Sequence, residues 1–251
     1  MKGNEEIPWK RISIEAVAIV GSILIAFALD AWWDRSQARI EDRARLAAVS
    51  EEVESAEPAI EETLRIRNAS VEKLVELRRR LTDIPLGQRV SVPDSLIGHI
   101  QFAWVTELRI ANAQEFASTE GTSLDGGRML KQATRTWLTA VEDVQDDEKQ
   151  FREFIFRDMR PFLRSRFNLV AVQDRVAMEW GVVSTAESGF GNEPMVPIQV
   201  PIKTSVELLN LVSMTELNQR TLIRDTRLLR DAQMALAQEI RDALGVSPDT
   251  P

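Results

Sequence analysis

Carboxylates are the only reactive side chains that this sequence gathers closely, in the run Glu142-Asp-Val-Gln-Asp-Asp-Glu148. Such a run suits hard oxygen-ligand chemistry, a loosely held divalent cation above all. On a helix, however, consecutive carboxylates spread around the circumference instead of converging, so solvated charge is the expectation. The single histidine, His99, stands in no catalytic motif of the sequence and reads as a packing or hydrogen-bonding residue near Trp104. Gly121-Thr-Ser-Leu-Asp-Gly-Gly127 lacks the lysine of a phosphate loop and reads as a turn into a helix. There is no dinucleotide fingerprint, nucleophile elbow, zinc motif or Glu-x-x-His spacing of a di-metal bundle. With no cysteine and no tyrosine, the inventory predicts no catalytic residues, no metal site and no cofactor. A net charge of -8 argues against nucleic acid as a partner, because phosphate binding needs a basic surface.

The elements that hold these residues are helical by composition and period. Ala, Leu, Glu and Arg dominate long stretches poor in glycine and proline. From Asp34 onward the residues Leu46, Val49, Val53, Ala56, Ile60, Leu64, Val71, Leu74, Leu77 and Leu81 recur at helical spacing. Pro58 interrupts that pattern and predicts a kink or break near Ala56. Ile84-Pro-Leu-Gly87 ends the helix, and Val92-Pro-Asp-Ser95 predicts a short helix carrying His99 and Trp104. Another short helix is expected from Asn112 to Ser118.

A second long helix starts near Gly127 with the stripe Leu130, Ala133, Trp137, Val141, Val144, Phe151, Ile155 and Met159, and Pro161 predicts a kink. An irregular loop at about 182–203 follows, then a last helix from Thr204 to Leu244 with Leu208, Leu211, Leu222, Leu229, Leu236, Ile240 and Leu244 buried. The expected fold is all-α, an elongated antiparallel bundle of about three long helices plus short ones. In that arrangement the second long helix runs back toward the N-terminal end. It would bring the basic, aromatic stretch with Arg157, Arg160, Arg164 and Arg166 to a membrane surface, although a solvated arginine face competes with this reading.

The N-terminal region predicts that membrane. Residues 1–11 form a leader, 12–33 a transmembrane helix, 34–245 the bundle domain and 246–251 a disordered tail. The run from Ile12 to Trp33 would be about 33 Å long as a helix, against about 30 Å of hydrocarbon. Val, Ile, Leu and Phe between Ala16 and Leu29 contribute on the order of -2.5 to -5 kcal/mol to insertion. Trp9, Lys10 and Arg11 before the run, and Trp32, Trp33 and Arg35 at its end, have the character of interfacial anchors. Two readings compete, a cleaved signal peptide and a buried core helix. Glu15, Ala18, Ser22, Ala26 and Asp30 form one stripe of small and polar residues, the pattern of a helix-association face. Headgroup positions for Glu15 and Asp30 are the alternative. The basic leader leans toward the N-terminus inside and the domain outside, which in a bacterial inner-membrane protein is the periplasm.

The segment Leu29-Asp-Ala-Trp-Trp-Asp34, followed by a charged helix, resembles a family of uncharacterised bacterial single-span membrane proteins. Ala113-Gln-Glu-Phe-Ala-Ser-Thr-Glu-Gly121, then Leu124 and Met129-Leu130, is similar to that family's short helix, glycine turn and second long helix. Glu120-Gly121 and Leu130-Lys131 depart from its usual Ser-Gly and Leu-Arg. The resemblance implies architecture and membrane attachment, and no activity. The function expected is thus a membrane-anchored interaction protein, a scaffold or accessory subunit working as a homo-oligomer or with a membrane-protein partner and membrane lipid. A ligand-sensing bundle that signals through its transmembrane helix is the alternative, and an enzyme with an unfamiliar carboxylate site is a third.

Overall fold

The computed structural model describes residues 9–101, 103–124, 126–166 and 199–245, with backbone alone at 9–14, 16–18 and 199. The chain is mostly helical. Its first helix, α1 (Trp9–Thr82), has 74 residues, a rod of about 110 Å. There follow β1 (Arg89–Pro93), α2 (Asp94–Gly98), α3 (Ala111–Ser118), α4 (Gly127–Phe154), a π-helical turn (Ile155–Met159), α5 (Arg160–Arg164), β2 (Gln199–Lys203) and α6 (Val206–Leu244).

Pro58 does not break α1. It and Glu54, whose carbonyl loses the usual donor, both lie on the exposed face, where water can satisfy that oxygen. On the opposite face Val49, Val53, Ala56 and Ile60 are buried and hold the rod against its neighbours. At Pro161 the outcome differs. The helix widens into the π-turn just before it, which makes room for a ring that clashes with the preceding turn.

The direction of α4 departs from the expected bundle. Asp42 of α1 meets Ser123 just before α4, and Arg67 of α1 meets Glu148 within it. Both numbers rise together, so α4 runs parallel to α1. Contacts Val53–Gln233, Arg67–Thr226 and Arg78–Glu216 run in opposite order, so α6 is antiparallel to both.

The chain returns between α1 and α4 without a long helix. Thr63 meets Thr106, and Glu52 meets Asn112, so six residues cover what eleven helical residues span, about 16 Å. That is about 2.7 Å per residue, close to extended chain. The short helix expected to carry His99 and Trp104 therefore stops at Gly98. His99 caps it, and Trp104 lies in the return segment.

The expected loop at 182–203 also changes. Its part up to 198 lies outside the described residues, while Gln199–Lys203 is a strand paired antiparallel with β1, Val92 opposite Val200 and Arg89 opposite Lys203. Thr204 extends the pairing through its bonds with Gly87 and Gln88. This small sheet joins the end of α1 to the start of α6, whose N-terminus Ser205 caps by accepting from the Leu208 N–H at 3.1 Å.

Two core clusters result. One, around Trp137, joins Leu46–Leu64 of α1 to α3, α4 and the second half of α6. The other, around Leu74, Leu77, Phe151, Ile155 and Leu208, closes the far end.

Candidate functional site

Polar groups of α1 position everything that returns along it. Asp42 accepts from the Ser123 N–H (2.6 Å), the Ser123 hydroxyl (2.7 Å) and Thr122 (3.3 Å), fixing the turn before α4. Burial raises its pKa, but these bonds and Arg45 bring it below the ordinary value. Glu52 takes the Asn112 and Ala113 N–H groups, each at 3.0 Å. It caps α3 from another helix, since Ile110 at the N-cap has no side-chain acceptor.

Deeper in the bundle lies an ionic layer. Arg67 and Glu148 are paired, 1% and 2% exposed. Arg67 also donates to the Thr226 hydroxyl and to the Leu222 carbonyl. Glu148 Oε1 further accepts from the Thr106 N–H (3.0 Å) and hydroxyl (2.7 Å), and Thr106 meets Thr63 at 3.2 Å. Burial depresses the Arg67 pKa, against the pull of Glu148 and Asp225. One layer thus ties α1, the return segment, α4 and α6 together. With three donors on Glu148 Oε1, that oxygen is committed to structure.

The carboxylates of Glu142–Glu148 are expected in solvent, and two of them are not. Glu148 is buried, and Asp147 is half-buried against Asp225. The signal was present: Glu148 sits four residues after Val144 and three before Phe151, on the apolar stripe itself. Arg67 occupies the same kind of position between Leu64 and Val71. Among the described residues, no group of three or more His, Cys, Asp or Glu side chains could hold a metal ion.

The arginine patch is also corrected. Because α4 runs parallel to α1, Arg157, Arg160, Arg164 and Arg166 lie beside the end of α1, at the opposite end of the bundle from residues 9–33. Arg160 stacks on Phe156 (4.1 Å) and Arg166 on Phe162 (3.8 Å), while Arg157 pairs with Asp158 and Arg166 with Glu207.

Among the described residues, the N-terminal quarter of α1 is uncovered. Ile19, Val20, Ile23, Leu24, Ile25, Phe27, Leu29, Trp32 and Trp33 are each at least 50% exposed, and Asp42 is the first buried one among the described side chains of α1. Of the small-residue stripe, Glu15, Ser22, Ala26 and Asp30 are exposed on this helix, and the Ala18 side chain is outside the described residues. Trp32, Trp33 and Arg35 are exposed too, whereas the side chains of Trp9, Lys10 and Arg11 are outside the described set. Among the described residues no helix is long and apolar enough to cross a membrane. The apolar run of 12–33 begins where side chains are described only for Glu15 and then from Ile19 onward. No family model, no curated protein and no solved structure matches this chain.

Proposed function

We propose that this protein is a non-catalytic, membrane-anchored helical scaffold or accessory subunit, working through self-association or a membrane-protein partner. The observation that carries the reading is the ring of apolar side chains from Ile19 to Trp33, which no other element covers among the described residues. Exposed apolar surface of that extent needs a partner phase. Isoleucine, leucine and phenylalanine around the whole circumference fit lipid better than a one-sided protein contact. Residues 12–33 are then the span, with Trp32 and Trp33 at one interface, and the bundle begins at about Asp42. The basic leader favours the N-terminus inside and the bundle outside, the periplasm if this is a bacterial inner-membrane protein as the resemblance implies. The Leu29-Asp-Ala-Trp-Trp-Asp34 resemblance points the same way.

The full-length protein is expected to stay in the membrane pellet through alkaline carbonate extraction. Recovery in the supernatant would overturn the anchor. Replacing Ser22 and Ala26 together by leucine is expected to reduce cross-linking between copies while leaving extraction unchanged, because bulk on the stripe holds helix backbones apart. Cross-linking equal to wild type would remove the stripe from the interface.

A second reading is a sensing bundle that signals through its span. It is favoured by the continuity of α1 from the apolar segment into the ionic layer at Arg67. It requires a partner for output, so co-purification from the native host with no stoichiometric membrane partner would exclude it.

A further inference from the structure

Next to the Arg67–Glu148 pair, the register of α4 against α6 brings two carboxyl groups face to face. Glu148 and Thr226 both bind Arg67, and their chain neighbours Asp147 and Asp225 meet across the seam. Asp225 is 8% exposed. Its Oδ1 accepts from Arg224 Nε at 2.7 Å, but its Oδ2 is buried without a donor among the described residues. A buried carboxylate oxygen facing a second carboxylate has one economical solution, a proton held between them.

We propose that Asp147 and Asp225 form a proton-operated clasp between α4 and α6, closed when Asp147 carries a proton donated to Asp225 Oδ2 and loosened when both are ionised. Asp147 is the member that takes up the proton because the cations lie nearer its partner. Arg224 and Arg67 face Asp225 from α6 and α1, while Asp143, one turn earlier on α4, adds negative charge beside Asp147. Burial, then the bond and repulsion from Asp225, push the Asp147 carboxyl up to about 6, against the pull of Arg224. Burial raises Asp225 as well, but its bonds to Arg224 and Asp147 and the charge of Arg224 and Arg67 bring it below the ordinary value.

The sign follows from linkage. A carboxyl whose folded pKa lies above its unfolded one stabilises the fold fully below the unfolded pKa, near 3.8, and that contribution is lost as pH rises through about 6. Half-exposure of Asp147 moderates the size of the effect.

The chain's composition makes the test clean. His99 is the only histidine and can be removed in a single control, and the absence of cysteine allows paired labels at chosen sites. The full-length protein in detergent micelles is melted at about pH 5 and about pH 7.5. Wild type is expected to melt roughly 2–4 °C lower at the higher pH. Asp147→Asn, whose amide donates permanently, should be as stable as the acidic wild type at both, and His99→Gln should keep the wild-type difference. Spin labels at Gln150→Cys and Arg227→Cys should report a longer or broader α4–α6 distance at the higher pH. An Asp147→Asn protein that still loses stability over this interval overturns the proposal, as does a label distance that does not change.

Discussion

Replacing Arg67 by alanine should destabilise the bundle by on the order of 3–5 kcal/mol, the cost of leaving a buried charge without its partner. Glu148, 2% exposed in the intact fold, would keep only the Thr106 donors, and the Thr226 hydroxyl would lose the Arg67 donor while the Leu222 carbonyl keeps the one from Thr226. Two controls separate charge from volume. Glu148→Gln keeps the shape and should cost less, since an amide oxygen still accepts from Thr106. The double replacement of Arg67 and Glu148 by methionine should recover most of the loss, because a well-packed apolar pair of similar size is often no worse than a buried ion pair. Urea unfolding midpoints of the four proteins measure this. A single Arg67→Ala variant within about 1 kcal/mol of wild type would show that water already enters the layer.

The second large effect is expected at Trp137, the biggest fully buried side chain among the described residues. It lies on the buried face of α4 in the cluster with Val53, Ile60 and Leu229. Trp137→Ala should cost on the order of 3–5 kcal/mol through lost burial and the cavity left behind. Trp137→Phe should cost much less. Its ring retains most of the area, and it removes an indole N–H that is buried without an acceptor among the described residues. Thermal unfolding followed by far-UV circular dichroism gives the comparison. Equal losses for the two variants would mean that Nε1 is satisfied by water and that the N–H, not the area, matters most.

Both residues stand on apolar stripes that period alone picks out. Every α1 position from Leu46 to Leu81 named for the stripe is buried, as are Leu130, Trp137, Val141, Val144, Phe151, Ile155 and Met159 of the second one. The last helix and the short helix before Gly121 lie within two residues of their expected bounds. These features depend on residues three and four apart, and such neighbours are visible in any helical sequence. The apolar character of residues 19–33 is equally local, and so is the absence of a thiolate site.

What no local rule contains is direction. A helical stripe is the same whichever way its helix points, so the sequence was compatible with α4 running antiparallel to α1. The direction is decided by contacts between residues far apart in the chain: Asp42 with Ser123, Glu52 with Asn112, Thr63 with Thr106. With it changes the location of Arg157–Arg166, from beside the N-terminal segment to the opposite end of the bundle. The same holds for Glu148 and Asp147. A carboxylate on an apolar stripe signals burial, but only the tertiary structure supplies the Arg67 that makes burial affordable and the Asp225 that asks for a proton. Helical period and the apolar character of residues 19–33 were properties of the sequence by itself. Helix direction, charge pairing and proton sharing belong to the fold, because each depends on atoms that meet only when distant segments pack.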